Sequence, residues 1–302
     1  MSGELLVNDN TVGTSDDVVK EQVLRDRNNV EQIYCPDYYS HKRTDVEYGL
    51  VEGITYYSNT TGCDRKANVL LPPGFDKEKK YPLIFFMHGI FGDENSMIFE
   101  EANKLDVIIG NLIAEGEIRD AIVVFPNMFA TGDPDLKPDF SAEQTAPYDN
   151  FINDLVDDLI PYIEDKYPVM TDREHRAIVG FSMGGRETLY IGLMRSDLFG
   201  SFAAFAPAPG LVPTRDRMME HKGQFTDEAH MVLAKEDKPK LIMICCGDSD
   251  SVVRPYPETY HQILEDNGIS NLWYEVPGAD HDSITVRSGF YNFLIRWDAI
   301  QS

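Results

Sequence analysis

Positive charge is scarce in this chain: 27 Lys and Arg stand against 51 Asp and Glu, a formal balance of -24 over 302 residues. Such a surface repels polyanions, so neither nucleic acid nor an anionic membrane is an expected partner. Cysteine is scarce too, with four in all. Cys35, Cys63, Cys245 and Cys246 form no C-x-x-C pair and stand beside no histidine at metal-ligand spacing, so no metal is expected. Cys245 and Cys246 are strand neighbours facing opposite ways, which makes a bridge between them strained; both read as small buried hydrophobes. A Cys35–Cys63 disulfide is left open. No run reaches the ~18 apolar residues of a membrane span. The opening "MSGELLVNDNTVGTSDD" has neither the basic start nor the apolar core of a secretory leader. The expectation is a cytoplasmic chain, or a mature product whose leader is absent.

What is present is an alternation of short apolar runs and amphipathic segments. Residues 1–40 are polar and acidic and read as an extension, loosely ordered or packed on the domain through Tyr34, Tyr38 and Tyr39. "LVEGITYYS" and "RKANVLLPPGF" flank the turn-forming "NTTGCD" and predict an antiparallel hairpin. "YPLIFFMHG", "AIVVFPN", "RAIVGF", "FAAFAPA", "KLIMICCG" and "NLWYEVPG" predict buried strands. Helices are expected over 97–115, 150–166, 184–194, 256–267 and 284–299. In the second, Phe151, Ile152, Leu155, Leu159 and Ile163 recur at helical spacing, with Asp154, Asp157 and Asp158 on the other side. Pro161 should kink it or end its regular part. The alternation implies an α/β fold, a mostly parallel sheet with helices on both faces, in one domain over 41–302.

One junction carries chemistry. Gly180-Phe181-Ser182-Met183-Gly184 fits G-x-S-x-G between a predicted strand and a predicted helix, the context of the α/β-hydrolase nucleophile elbow. There the backbone turns sharply, the flanking glycines permit close approach, and the helix N-terminus faces developing negative charge. A serine hydroxyl needs a base. Among the downstream histidines, His221 and His230 fall in a charged stretch read as surface, and His261 falls in a helix. His281 follows a strand in "VPGADHDS", at the carboxyl edge where catalytic loops project, and is the expected base. The acid should follow "KLIMICC", where Asp248 and Asp250 both qualify. The oxyanion donors expected are the backbone N–H groups of Met183 and of Ile90, in "MHGIFGDE". His88 in that loop reads as structural.

"TDREHRAIVGFSMGG", "LLPPGFDKEKKYPLIFFMHGIFGDE", "NLIAEGEI", "YIEDKYPV" and the pair "CGDSDS…GADHD" resemble carbohydrate esterase family 1. The likeness is greatest to the feruloyl esterase modules of bacterial xylanases, and it runs over about 48–299. It implies a serine esterase that releases ferulate-type phenolic acids from xylan or arabinoxylan side chains, without a cofactor. The alternatives are an acetyl xylan esterase or a general carboxylesterase such as S-formylglutathione hydrolase. The resemblance places the triad on Ser182, Asp250 and His281, favouring Asp250 over Asp248, and the second oxyanion donor in the His88-Gly89-Ile90 loop. It suggests a secreted protein whose partner is a small ester or a plant cell-wall polysaccharide. Two features depart from it. Arg186 stands where a small residue is usual, and is read as a surface residue of a first helical turn. Residues 211–238, with Met218 and Met219, match poorly and lie where a lid or acyl-pocket wall belongs; the two methionines are read as ordinary packing.

Overall fold

The computed structural model describes residues 34–301. Most of the expected extension, residues 1–33, lies outside the described residues. The part described lies against the domain: the Tyr34 hydroxyl donates to the Pro277 carbonyl, and the Tyr39 ring sits 5.5 Å from that of Tyr291.

Strands β1 (Leu50–Ser58) and β2 (Cys63–Leu71) form the antiparallel hairpin. They are followed by β3 (Leu83–Met87), β4 (Ile122–Pro126), β5 (Arg176–Phe181) and β6 (Ser201–Phe205). A two-residue ribbon, β7 (Thr214–Arg215) with β8 (Glu220–His221), stands apart, and β9 (Leu241–Gly247) and β10 (Leu272–Val276) complete the sheet. Its order is β1-β2-β4-β3-β5-β6-β9-β10. The run from β4 to β10 is parallel; β2 alone opposes it, and β1, antiparallel to β2, runs in the same direction as the rest.

Alternate residues of each strand feed opposite faces, as the pleat requires. Phe85, Ile178, Ala204 and Ile244 pack on one face, against the helices Met183–Met194 and Tyr256–Asp266. Ile84, Phe86, Val179, Ala203 and Met243 pack on the other, against Leu105–Ala114 and Ser283–Ile300. Both faces are therefore buried, which is why these strands are apolar throughout rather than alternating. Cys245 and Cys246 are buried, and all four cysteines are free, so the disulfide left open by the sequence does not form.

Two helices differ from expectation. The first begins at Leu105, not 97, because Lys104 has φ +55 and the preceding Asp93, Asn95 and Ser96 bond to one another locally. Such short-range side-chain bonds compete with helix formation. The second, over 151–166, is broken by a π-helical turn at Leu155–Leu159. Pro161, two residues beyond the last residue of that turn, has no N–H for the Asp157 carbonyl, and the ladder shifts to a wider ring just before it. Nor is its acidic side a solvent face: Asp154 and Asp158 are buried and only Asp157 is exposed. Asp154 pairs with Arg65, and Asp158 accepts N–H groups of Asn59 and Thr60 in the hairpin turn.

Candidate active site

The carboxyl ends of β3, β5, β9 and β10 meet at one edge of the sheet, and the polar groups of interest project from there. At the end of β5, Ser182 has φ +57 and ψ -117, a strained conformation for a residue with a side chain. Three backbone bonds hold it there: its N–H donates to Phe205, and its carbonyl accepts from Arg186 and Ala208. The flanking glycines are dictated by space. A Cβ on Gly180 would lie 2.3 Å from the Gly184 carbonyl oxygen, and one on Gly184 would lie 2.5 Å from that of Met87.

His281 follows β10. Its Nε2 lies 2.8 Å from the Ser182 hydroxyl and its Nδ1 2.8 Å from Asp250 Oδ2. With Nδ1–H donating to the carboxylate, Nε2 is free to accept the serine proton. The ring packs 4.5 Å from that of Phe181. Asp250 is buried, and burial alone would raise its pKa. The hydrogen bonds from His281 and from the N–H groups of Val252 and Val253 more than offset this, and the carboxyl lies below its ordinary value. Asp248, the other candidate acid, accepts instead from the Gly278 N–H and the Ser249 hydroxyl, joining the loops after β9 and β10. Asp280 ties the same loops by accepting from Ser251 and from the His281 N–H. No motif in the sequence marks that role.

Met183 is the first residue of its helix, where an N–H has no carbonyl four residues back. Ile90 lines the same cavity as Ser182, and a Cβ on the neighbouring Gly89 would sit 3.5 Å from the Ser182 Cβ. His88 is buried in this loop, with Nδ1 donating to the Gly89 carbonyl and Nε2 accepting from the Met128 N–H. Burial lowers its pKa to about 4, so it is a neutral strut.

The serine opens into a mainly apolar cavity of about 320 Å³. Phe140, Phe181, Pro209, Val252 and Val253 contribute walls, and the β7–β8 ribbon closes one side with Met218 and Met219. The packing reading of Met218 is therefore corrected: it is half-exposed on the cavity wall, because the ribbon is too short to have a core of its own. His221 is corrected as well. It is buried, not superficial, since Nε2 donates to Asp216 and the ring lines the cavity. His230 is exposed beside Asp227, and His261 stacks on Trp273.

The third correction is Arg186. It is buried and paired with Glu187 and Asp149, with Gln224 bridging those two carboxylates. An arginine beside a glutamate in a helical first turn resembles any solvated pair; only the three-dimensional fold brings Asp149 and Gln224 to it.

The family model described as putative esterase matches residues 58–266. A CE1 ferulic acid esterase from Anaeromyces mucronatus, solved in complex with ferulic acid, superposes with a TM-score of 0.83 at 44% identity, over 87% of this chain and 96% of that one. An endo-1,4-beta-xylanase/feruloyl esterase of Xylanibacter ruminicola is 35% identical over 171 residues, 54% of this chain and 22% of that protein. The chain spans less than a quarter of the length of the curated relatives it matches. S-formylglutathione hydrolase of Staphylococcus aureus, at 18% identity and a TM-score of 0.61 over 86% of this chain and all of that one, shares the fold.

Proposed function

Because the chain belongs to the putative-esterase family and to its CE1 kind, we propose that it hydrolyses esters of ferulate-type phenolic acids, on xylan or arabinoxylan side chains. The observation that carries the reading is the hydrogen-bonded line Ser182–His281–Asp250 at the mouth of an apolar cavity large enough for an aromatic acyl group. An acetyl group would leave most of that cavity unfilled.

In this mechanism the Ser182 oxygen attacks the ester carbonyl while His281 Nε2 takes its proton. Asp250 fixes the ring tautomer and stabilises the imidazolium. The N–H groups of Met183 and Ile90 receive the oxyanion, a contribution of about 3 kcal/mol per donor in comparable sites. His281 then gives the proton to the departing sugar hydroxyl. Water, deprotonated by the same nitrogen, releases the phenolic acid and restores the serine. The relatives' xylanase partners suggest action outside the cell on plant cell-wall polysaccharide.

Methyl ferulate, acetylated xylan and a short nitrophenyl ester should be turned over with preference for the first. Ser182→Ala should lower kcat by on the order of 10⁴-fold or more and abolish labelling by a fluorophosphonate, with the thermal midpoint retained. Substantial turnover by the variant would reject the assignment.

A further inference from the structure

Behind the apolar cavity lies a smaller, polar recess of about 200 Å³. The two share Thr145, Met219 and His221, and the recess is bordered further by Asp149, Arg186 and Gly210. Two side chains present one atom each to it. His221 Nε2 donates to Asp216, whose other oxygen accepts the N–H groups of Met218 and Met219, so the acceptor is fixed and the tautomer with it. This leaves Nδ1, an acceptor in neutral imidazole. Arg186 Nε and Nη2 donate to Glu187, and Nη2 also to Asp149. This leaves Nη1, a donor. Among the described residues neither Nδ1 nor Nη1 has a hydrogen-bond partner, although both side chains are more than nine-tenths buried.

Both atoms face Gly210. A Cβ there would lie 2.9 Å from His221 Nδ1 and 3.1 Å from Arg186 Nη1, and Gly210 has φ +109. The glycine thus keeps open the space on which an acceptor and a donor converge. A hydroxyl matches that pair, because it accepts from one and donates to the other; an ether oxygen can only accept. The recess is also within reach of the reaction. Ala208 donates to the Ser182 carbonyl, and Gly210 is two residues further on, at most about 7 Å of chain.

We propose that this recess recognises the free phenolic hydroxyl at the far end of a hydroxycinnamoyl acyl group, through His221 Nδ1 and Arg186 Nη1. The inference rests on the ferulate-type reading of the cavity. His221 is then a specificity residue that contacts the substrate far from the bond being broken.

Methyl ferulate and methyl 3,4-dimethoxycinnamate differ only at the para oxygen, which carries hydrogen in the first and a methyl group in the second, and they provide the test. In the unaltered protein kcat/KM should favour ferulate by roughly ten- to hundredfold, the effect of leaving buried polar groups unmatched. His221→Leu should bring the ratio to within about twofold of one, the fall being in the ferulate value. Product inhibition of the unaltered protein needs no variant: free ferulate should inhibit at least about tenfold more tightly than 3,4-dimethoxycinnamate. Equal turnover and equal inhibition by the two in the unaltered protein overturn this inference alone. So does a folded His221→Leu protein, judged by its thermal midpoint, whose ratio is unchanged. If the unaltered protein cleaves nitrophenyl acetate but neither cinnamoyl ester, the acyl reading falls and the inference with it.

Discussion

Glu187, one residue past Arg186, has no exposed side-chain surface. Burial raises its pKa to about 7 against the attraction of Arg186, and Asp149 adds to the rise. The folded chain therefore keeps a proton that the unfolded chain releases between 4.5 and about 7. Unfolding sheds that proton, so this stabilisation is complete below the lower value and declines until pH passes the upper one. Glu187→Gln should lack this part of the decline, and urea midpoints of both proteins at pH 5 and pH 8 measure it. Parallel changes in the two would sink the idea. The sequence exposes some of these residues and hides others for one reason. Ser182 stands out because a strained turn needs glycines at fixed offsets, a local rule. His281 stands out because it follows a strand. Arg186, Glu187 and His221 depend on partners brought in by the fold, as Asp149 is 37 residues from Arg186 in sequence.

At the scale of an element, the segment 151–166 shows how a correct period can mislead about its polar side. Its apolar residues recur as in any surface helix, yet the strand hairpin β1–β2 lies across what would be the wet face. Asp154 Oδ2 accepts from Arg65 Nε at 3.0 Å and from the Tyr56 hydroxyl at 2.6 Å. Asp157, three residues on, meets solvent. Asp154→Ala would strand a buried guanidinium and should cost about 3–5 kcal/mol in urea unfolding. Asp157→Ala should stay within about 0.5 kcal/mol. Similar losses from both would mean the hairpin does not depend on this ion pair. Arg65 also donates to the carbonyls of Asn127 and Phe129, so the same aspartate steadies the start of the loop that leads to the cavity wall at Phe140.

For the whole molecule, alternating apolar runs and amphipathic segments indicate a parallel sheet, but not that β4 lies between β2 and β3. Strand order follows from crossover connections, and no local pattern records them. Net charge, by contrast, is fully legible in the sequence and acts at long range. A balance of -24 gives the molecule a net negative field. That field extends about 30 Å at 0.01 M salt and about 3 Å at 1 M. A neutral feruloylated oligosaccharide approaches through it unhindered, whereas one bearing uronic acid groups is repelled before it touches the protein. At low salt KM for the acidic substrate should therefore exceed that for the neutral one, and the two should converge as salt rises, with kcat for each nearly constant. The repulsion acts on encounter, not on the acyl group once seated, so methyl ferulate should show no such salt dependence. An acidic substrate whose KM is indifferent to salt would show that the charge lies away from the path of approach and serves only to keep the molecules apart.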